Sequence, residues 1–250
     1  QRIYGDATFR YFSDLDILVD PSSLSQAMNV AGDLGYRLAG HEWPERGKEQ
    51  SRLLKHHCDI SFVHPGQPVS LEIHWRLLTR QYLNYKPTES LIDQNQTSVS
   101  FSGRNFNVLN NELELLYLII HGGKHHWGRL RWLVDVSDYI KTHKIDWDKF
   151  GVLTDQMGAG RFVSLCSQLL NEYLPGRASL PCHETLPVWM LRHSVRKIEA
   201  DDFRGPETVR DLLCDLRFTL SAYKGFRYKL RVIADAVMTS LYFGRLGRAV

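Results

Sequence analysis

Apolar and polar positions follow two rhythms along this chain, and the change falls near residue 108. Before it, short runs predict strands. Residues 13–19, Ser-Asp-Leu-Asp-Ile-Leu-Val, end in three aliphatic side chains, as a buried strand does. Pro21-Ser22-Ser23 supplies a turn and a helix N-cap. Leu24, Ala27, Met28, Ala31 and Leu34 then recur at helical spacing, and Gly35 stands where a C-cap glycine belongs. A strand is expected near 36–39, and the polar stretch 40–50, with Pro44 and Gly47, reads as a loop. Two β-like runs, 58–64 and 69–77, flank Pro65-Gly66-Gln67-Pro68 and predict an antiparallel hairpin; a further extended piece, 98–108, turns at Gly103.

From Asn110 onward the period is helical. Asn110 caps a run in which Leu113, Leu116, Tyr117 and Ile120 share a face, and Gly122-Gly123 reads as its end. Helices follow over 130–143, from Asp146, and over about 161–173, 186–198, 207–223 and 228–243. The pattern shows neither an internal repeat nor a low-complexity tract.

Composition narrows the class without choosing a function. An apolar fraction of 43% with 24% charged residues is that of an ordinary globular protein. The net charge of +3 tolerates an anionic substrate but argues against a nucleic-acid partner, which asks for a stronger basic excess. Cys58, Cys166, Cys182 and Cys214 are far apart, which fits neither a zinc knuckle nor a disulfide framework and suits a reducing cytoplasm. No signal-peptide pattern opens the chain, and no apolar run approaches the roughly 18 residues of a membrane span. The chain starts at Gln1 and enters a motif almost at once, which reads as a start lacking an N-terminal element.

Asp14 and Asp16 are the first candidates for chemistry. Side chains on a strand alternate faces, so both carboxylates point one way while Leu15 and Ile17 face the core. Two such carboxylates can hold one or two Mg²⁺ ions, which prefer hard oxygen ligands and leave positions open for phosphates. Acidic residues beside Ile17-Leu18-Val19 would be costly to bury unless paired with cations. A third carboxylate is expected from a neighbouring strand. Glu72, flanked by Leu71 and Ile73 and sharing its face with His74, is preferred; Asp59 is the alternative.

Taken in order, Arg10-x-x-Ser13-Asp14-Leu15-Asp16-Ile17-Leu18-Val19, Leu34-Gly35-Tyr36, Leu71-Glu72-Ile73-His74-Trp75 and the segment from His121 through Lys124, His125, His126, Trp127, Arg129, Arg131 and Trp132 to Asp135 resemble the uncharacterised nucleotidyltransferase family of the DNA polymerase β superfamily. The resemblance covers roughly residues 1–175. It implies an α+β fold: a small mixed β-sheet flanked by helices over 1–108, then an all-helical domain over 109–250. It implies transfer of a nucleoside monophosphate from a nucleoside triphosphate such as ATP to a hydroxyl of a small-molecule, glycan or protein acceptor, with two Mg²⁺ ions. The metal-binding and catalytic roles fall on Asp14, Asp16 and Glu72. The superfamily's glycine-containing helix start, which holds the triphosphate, has no match near Gly5-Asp6 and is expected upstream of Gln1. The alternative is a catalytically inactive module that keeps the fold and binds a nucleotide or a partner.

Arg10 can meet a phosphate bidentately, Ser13 can approach one, and Lys124 can face the nucleotide, so these three are the candidate nucleotide-binding residues. His121 and His125 have the spacing of a zinc pair but lack a third ligand and the glutamate of a hydrolase. Trp127, Trp132 and Trp147 are expected to form the hub of the helical part. The basic amphipathic run 223–248 can pack on the protein or lie on an anionic membrane surface.

Overall fold

The computed structural model describes residues 12–39, 43, 47–79, 89–181, 184–202, 208–226 and 228–234. Contacts divide the chain into two compact units, Gln1–Tyr82 and Leu83–Val250.

The first unit is built on a four-stranded sheet in the order β1-β4-β3-β2, with β1 Asp14–Leu18, β2 Arg37–Leu38, β3 Asp59–His64 and β4 Gln67–His74. β1 runs parallel to β4, and the other pairs are antiparallel, so the sheet is mixed. Between β1 and β2 the chain makes a short 3₁₀ turn at Pro21–Ser23 and helix α1, Leu24–Asp33. Asp20 starts this turn by accepting the Ser22 N–H at 2.7 Å. After α1, Gly35 takes a φ of +86°, which a side chain would resist, and a Cβ there would also press on the His64 ring at 2.8 Å. Helix α2, Lys48–His56, follows β2. Its start lies inside the stretch expected to be loop. The segment is rich in Lys, Arg and His and offers only Leu53 and Leu54 to the core, so it lacks the apolar content that marks a core helix.

Period-two alternation sorts this sheet into two chemistries. Leu71 and Ile73 of β4 and Phe62 of β3 join Leu24 and Ala31 of α1 and Trp75 in one buried cluster. The Trp75 indole N–H reaches the Leu54 carbonyl of α2 at 3.2 Å, tying that helix to the same layer. Leu15 and Ile17 stand on this apolar face in register with Leu71 and Ile73, yet they remain 53% and 42% exposed. The expected burial of β1 is therefore corrected: it is the outer strand of the described sheet, and Ile17 opens on a cleft of about 310 Å³ beside Ala27, Val30 and Leu34.

The second unit opens with α3, Glu89–Asp93, and a hairpin of β5, Gln96–Phe101, and β6, Arg104–Leu109, turned at Ser102-Gly103. The hairpin pairs only within itself among the described strands and packs through β6 on α4, so it falls in the second unit although the change of sequence rhythm comes after it. The helices are α4 Asn111–Lys124, α5 Leu130–Thr142, α6 Trp147–Met157, α7 Gly160–Tyr173, α8 Val188–Glu199 and α9 Val209–Ala222. The expected caps form: Asn110 accepts the Leu113 N–H at 3.0 Å, and Asp146 accepts the Lys149 N–H at 3.0 Å.

Gly122 and Gly123 do not end α4 but lie within it. A Cβ at Gly122 would sit 2.5 Å from the Trp127 ring, and one at Gly123 would sit 2.2 Å from the Phe162 ring, so both glycines serve close packing rather than termination. Trp127 is fully buried there, whereas Trp147 is 38% exposed and does not join a hub. Within the basic run, Tyr228 and Val232 are buried and Tyr228 packs on Tyr223; residues 235–250 lie outside those described. Among the described residues no helix is long and apolar enough to cross a membrane, and Cys58, Cys166 and Cys214 are not in disulfides.

Candidate functional site

The polar face of the first sheet gathers the carboxylates that the sequence singles out. Parallel pairing sets Asp14 beside Ser70 and Asp16 beside Glu72, and antiparallel pairing sets Ser61 beside Glu72 and Asp59 beside His74. Every one of these residues lies opposite the apolar layer, because each is one position away from a core residue on a period-two strand. Neighbouring strands lie about 5 Å apart, so Asp16 and Glu72 are lateral neighbours.

His74 completes this group. Its Nε2 stands 3.7 Å from Asp16 Oδ1 and 3.5 Å from Glu72 Oε2. These three side chains offer ligand atoms all within 4.8 Å of one another, as do Cys58, Asp59 and His74. Asp16 is half exposed while His74 is 8% exposed, so the cluster has an open side and a floor. Burial works to lower the His74 pKa, but hydrogen bonding and charge from Asp16, Cys58 and Glu72 outweigh it and push it up to about 12. The Ser61 hydroxyl donates to Glu72 Oε1 at 3.3 Å, and the Cys58 thiol donates to Asp59 Oδ1 at 2.9 Å.

The remaining sequence candidates are placed as follows. Asp14 lies one pleat before Asp16 on the same face. The Ser13 carbonyl accepts both the Ser70 N–H at 2.8 Å and the Ser70 hydroxyl at 2.9 Å, which fixes the start of β1, and Ser13 itself is exposed. Arg10 lies outside the described residues, as do Gly5 and Asp6. Lys124 occupies the last turn of α4 in the second unit. There His121 and His125 pack with each other and with Trp132, whose ring stacks on His125 at 5.3 Å. Burial, reinforced by the charge of Lys124, lowers the His125 pKa to about 4.

A second polar group was not legible in the sequence. His126 sits just past α4 with a φ of +55°, and its ring bridges α8 and α9: Nδ1 lies 3.0 Å from His193 Nε2, and Nε2 lies 3.1 Å from Asp215 Oδ1. His126 and His193 are 67 residues apart, and no local spacing announces such a pair. The only hint was the run of histidines ending at His126.

With this geometry established, comparison with known proteins adds one finding. A family model described as an uncharacterised nucleotidyltransferase matches residues 1–175. No curated protein and no solved structure matches the chain.

Proposed function

The chain belongs to this nucleotidyltransferase family, which assigns it general nucleotidyl transfer, and from that premise we propose that it moves a nucleoside monophosphate from a nucleoside triphosphate to a hydroxyl acceptor at the Asp14–Asp16–Glu72 face. The observation that carries the proposal is the in-register pairing of Asp16 with Glu72 across β1 and β4, on the face turned away from the core. Two carboxylates held side by side on rigid strands, one of them half exposed, are the hard-oxygen donor set that divalent cations need near phosphate. The acceptor belongs to the small-molecule, glycan or protein classes, since the mild net charge of +3 does not favour a nucleic acid.

The chain's own residues have separable duties. Asp16 and Glu72 would hold Mg²⁺ or a similar ion, with Asp14 beside them on the same strand. Ser61, donating to Glu72 Oε1 at 3.3 Å, orients that carboxylate. His74 forms the buried floor of this face. When bound, divalent cations supply charge neutralisation at the phosphates and a more acidic attacking hydroxyl. In the transfer itself, a bond forms between the acceptor oxygen and the α-phosphorus while the bond to the pyrophosphate oxygen breaks. The hydroxyl proton leaves to solvent or a nearby base, and pyrophosphate departs. Arg10 and Ser13 are proposed as triphosphate contacts, each offering a donor that phosphate oxygens accept.

Pyrophosphate release with ATP, CTP, GTP and UTP, alongside calorimetric titration of each, tests this reading. Asp16→Asn, which keeps the shape and removes the charge, is expected to lower turnover by at least about a hundredfold while leaving the circular dichroism spectrum and Tm near those of the wild type. Asp14→Asn is expected to do the same. Near-normal turnover in either variant sinks the assignment of that residue. Nucleotide binding by the wild type with no pyrophosphate release for any acceptor favours the inactive binding module instead.

A further inference from the structure

We propose that His74 is itself a ligand of a cation in this centre, and that its nitrogen makes the site select Mn²⁺ over Mg²⁺. The proposal rests on the reading of Asp16 and Glu72 as cation-holding residues and goes beyond it in both ligand identity and metal choice.

The imidazole is placed as a ligand rather than as packing. His74 is 8% exposed, and its buried Nε2 meets the two carboxylates only at lengths beyond those of a well-formed hydrogen bond. Leaving a buried ring nitrogen unsatisfied is costly, and proteins do so where another partner belongs. This nitrogen is aimed into the carboxylate pair, 3.7 Å from Asp16 Oδ1 and 3.5 Å from Glu72 Oε2. Adjacent ligands of an octahedral ion with bonds near 2.2 Å lie about 3 Å apart, so each carboxylate oxygen needs to close on Nε2 by only about half an ångström. Asp16 and Glu72 can supply that movement, since their side chains are 50% and 28% exposed.

The ring also has a neighbour outside the carboxylate pair. His74 meets Cys58, whose thiol donates to Asp59 Oδ1 at 2.9 Å. β4 explains the arrangement, because Glu72 and His74 are two apart on one strand and project from the same face.

Two carboxylate oxygens with one imidazole nitrogen form a mixed donor set. Mg²⁺ demands near-ideal oxygen coordination and gains little from imidazole, whereas Mn²⁺ accepts carboxylate and water oxygens and binds nitrogen more strongly than Mg²⁺ does. The preference therefore follows from His74 and should vanish with it.

Mn²⁺ titrated into the full chain without nucleotide, followed by the loss of the free-ion electron paramagnetic resonance signal and with Mg²⁺ as competitor, tests the proposal. The wild type is expected to bind Mn²⁺ at least about tenfold more tightly than Mg²⁺. His74→Gln is expected to lose about tenfold in Mn²⁺ affinity, with Mg²⁺ affinity nearly unchanged. Bound Mn²⁺ should show nitrogen modulation of its spin echo that changes when the wild type is grown with ¹⁵N-histidine, a readout that needs no variant to fold. Absence of that coupling, or Mn²⁺ binding by His74→Gln equal to that of the wild type, overturns the role of His74 while leaving the carboxylates in place. If Asp16→Asn binds both ions as the wild type does, the carboxylate reading itself fails and this proposal fails with it.

Discussion

At the scale of single residues, Ser61 separates orientation from chemistry. Its hydroxyl reaches Glu72 Oε1 at 3.3 Å, a long neutral-to-carboxylate bond on a half-buried strand. At that length it lies at the low end of hydrogen bonds to charged groups, about 1.5 kcal/mol, which corresponds to roughly a tenfold effect on turnover. Ser61→Ala is therefore expected to lower kcat by no more than about tenfold and to leave KM for the nucleotide nearly unchanged, as read by pyrophosphate release. A collapse as deep as that of Asp16→Asn would show that the hydroxyl does more than aim Glu72. The contrast also shows what the sequence could reveal at this scale. Asp14, Asp16, Glu72 and His74 were legible because each obeys the two-residue period of its own strand. Ser61 needed the register of a second strand, and the His126–His193–Asp215 group joins helices whose order in space no local pattern encodes.

At the scale of elements, α4 shows packing overriding propensity. Glycine is a poor helix former, and Gly122-Gly123 before a histidine-rich segment reads as a stop. Instead α4 continues to Lys124 because the Trp127 and Phe162 rings occupy the space where two Cβ atoms would stand. Gly123→Ala places a methyl group 2.2 Å from the Phe162 ring, and Gly122→Ala places one 2.5 Å from the Trp127 ring. Phe162 and Trp127 are both fully buried, so neither ring can swing into solvent. Each substitution gains helix propensity worth about 1 kcal/mol but is expected to lose more through overpacking, for a net cost of about 1–2 kcal/mol. Urea denaturation followed by helical ellipticity measures it. An increase in stability for either variant would mean that the rings yield easily and that the glycines answer to something other than packing. Helix α2 was hidden for a different reason: its two leucines stand among charged and polar residues, so the segment reads as solvated loop although its charges and leucines fall on opposite faces.

At the scale of the whole molecule, the two units carry histidines displaced in opposite directions. In the second unit burial, aided by the charges of His126, Lys197 and Arg196, lowers the His193 pKa to about 4, and burial does the same for His125. An unfolded imidazole titrates near 6.5. Between about 6.5 and 4 the unfolded chain therefore binds more protons than the folded one, and the second unit loses stability as pH falls through that window. In the first unit His74 is pushed up to about 12 against the effect of burial. Its contribution is complete below about 6.5 and declines as pH rises from there toward the folded value. Hydrogen exchange, converted to protection factors and recorded without added cations, separates the units. Peptides from α4 and α8 are expected to lose protection from pH 7 to pH 5, and peptides from β3 and β4 are expected to lose it from pH 7 to pH 9. His193→Gln should reduce the first slope, the remainder belonging to His125, and His74→Gln should flatten the second, each without altering the other. Loss of protection in the same direction in both units, or an alkaline slope that survives His74→Gln, would show that charges other than these histidines govern the response. The direction of each slope follows from what each ring meets: two carboxylates on a strand face outweigh burial in one unit, whereas burial between helices, with cations and a second imidazole beside it, prevails in the other.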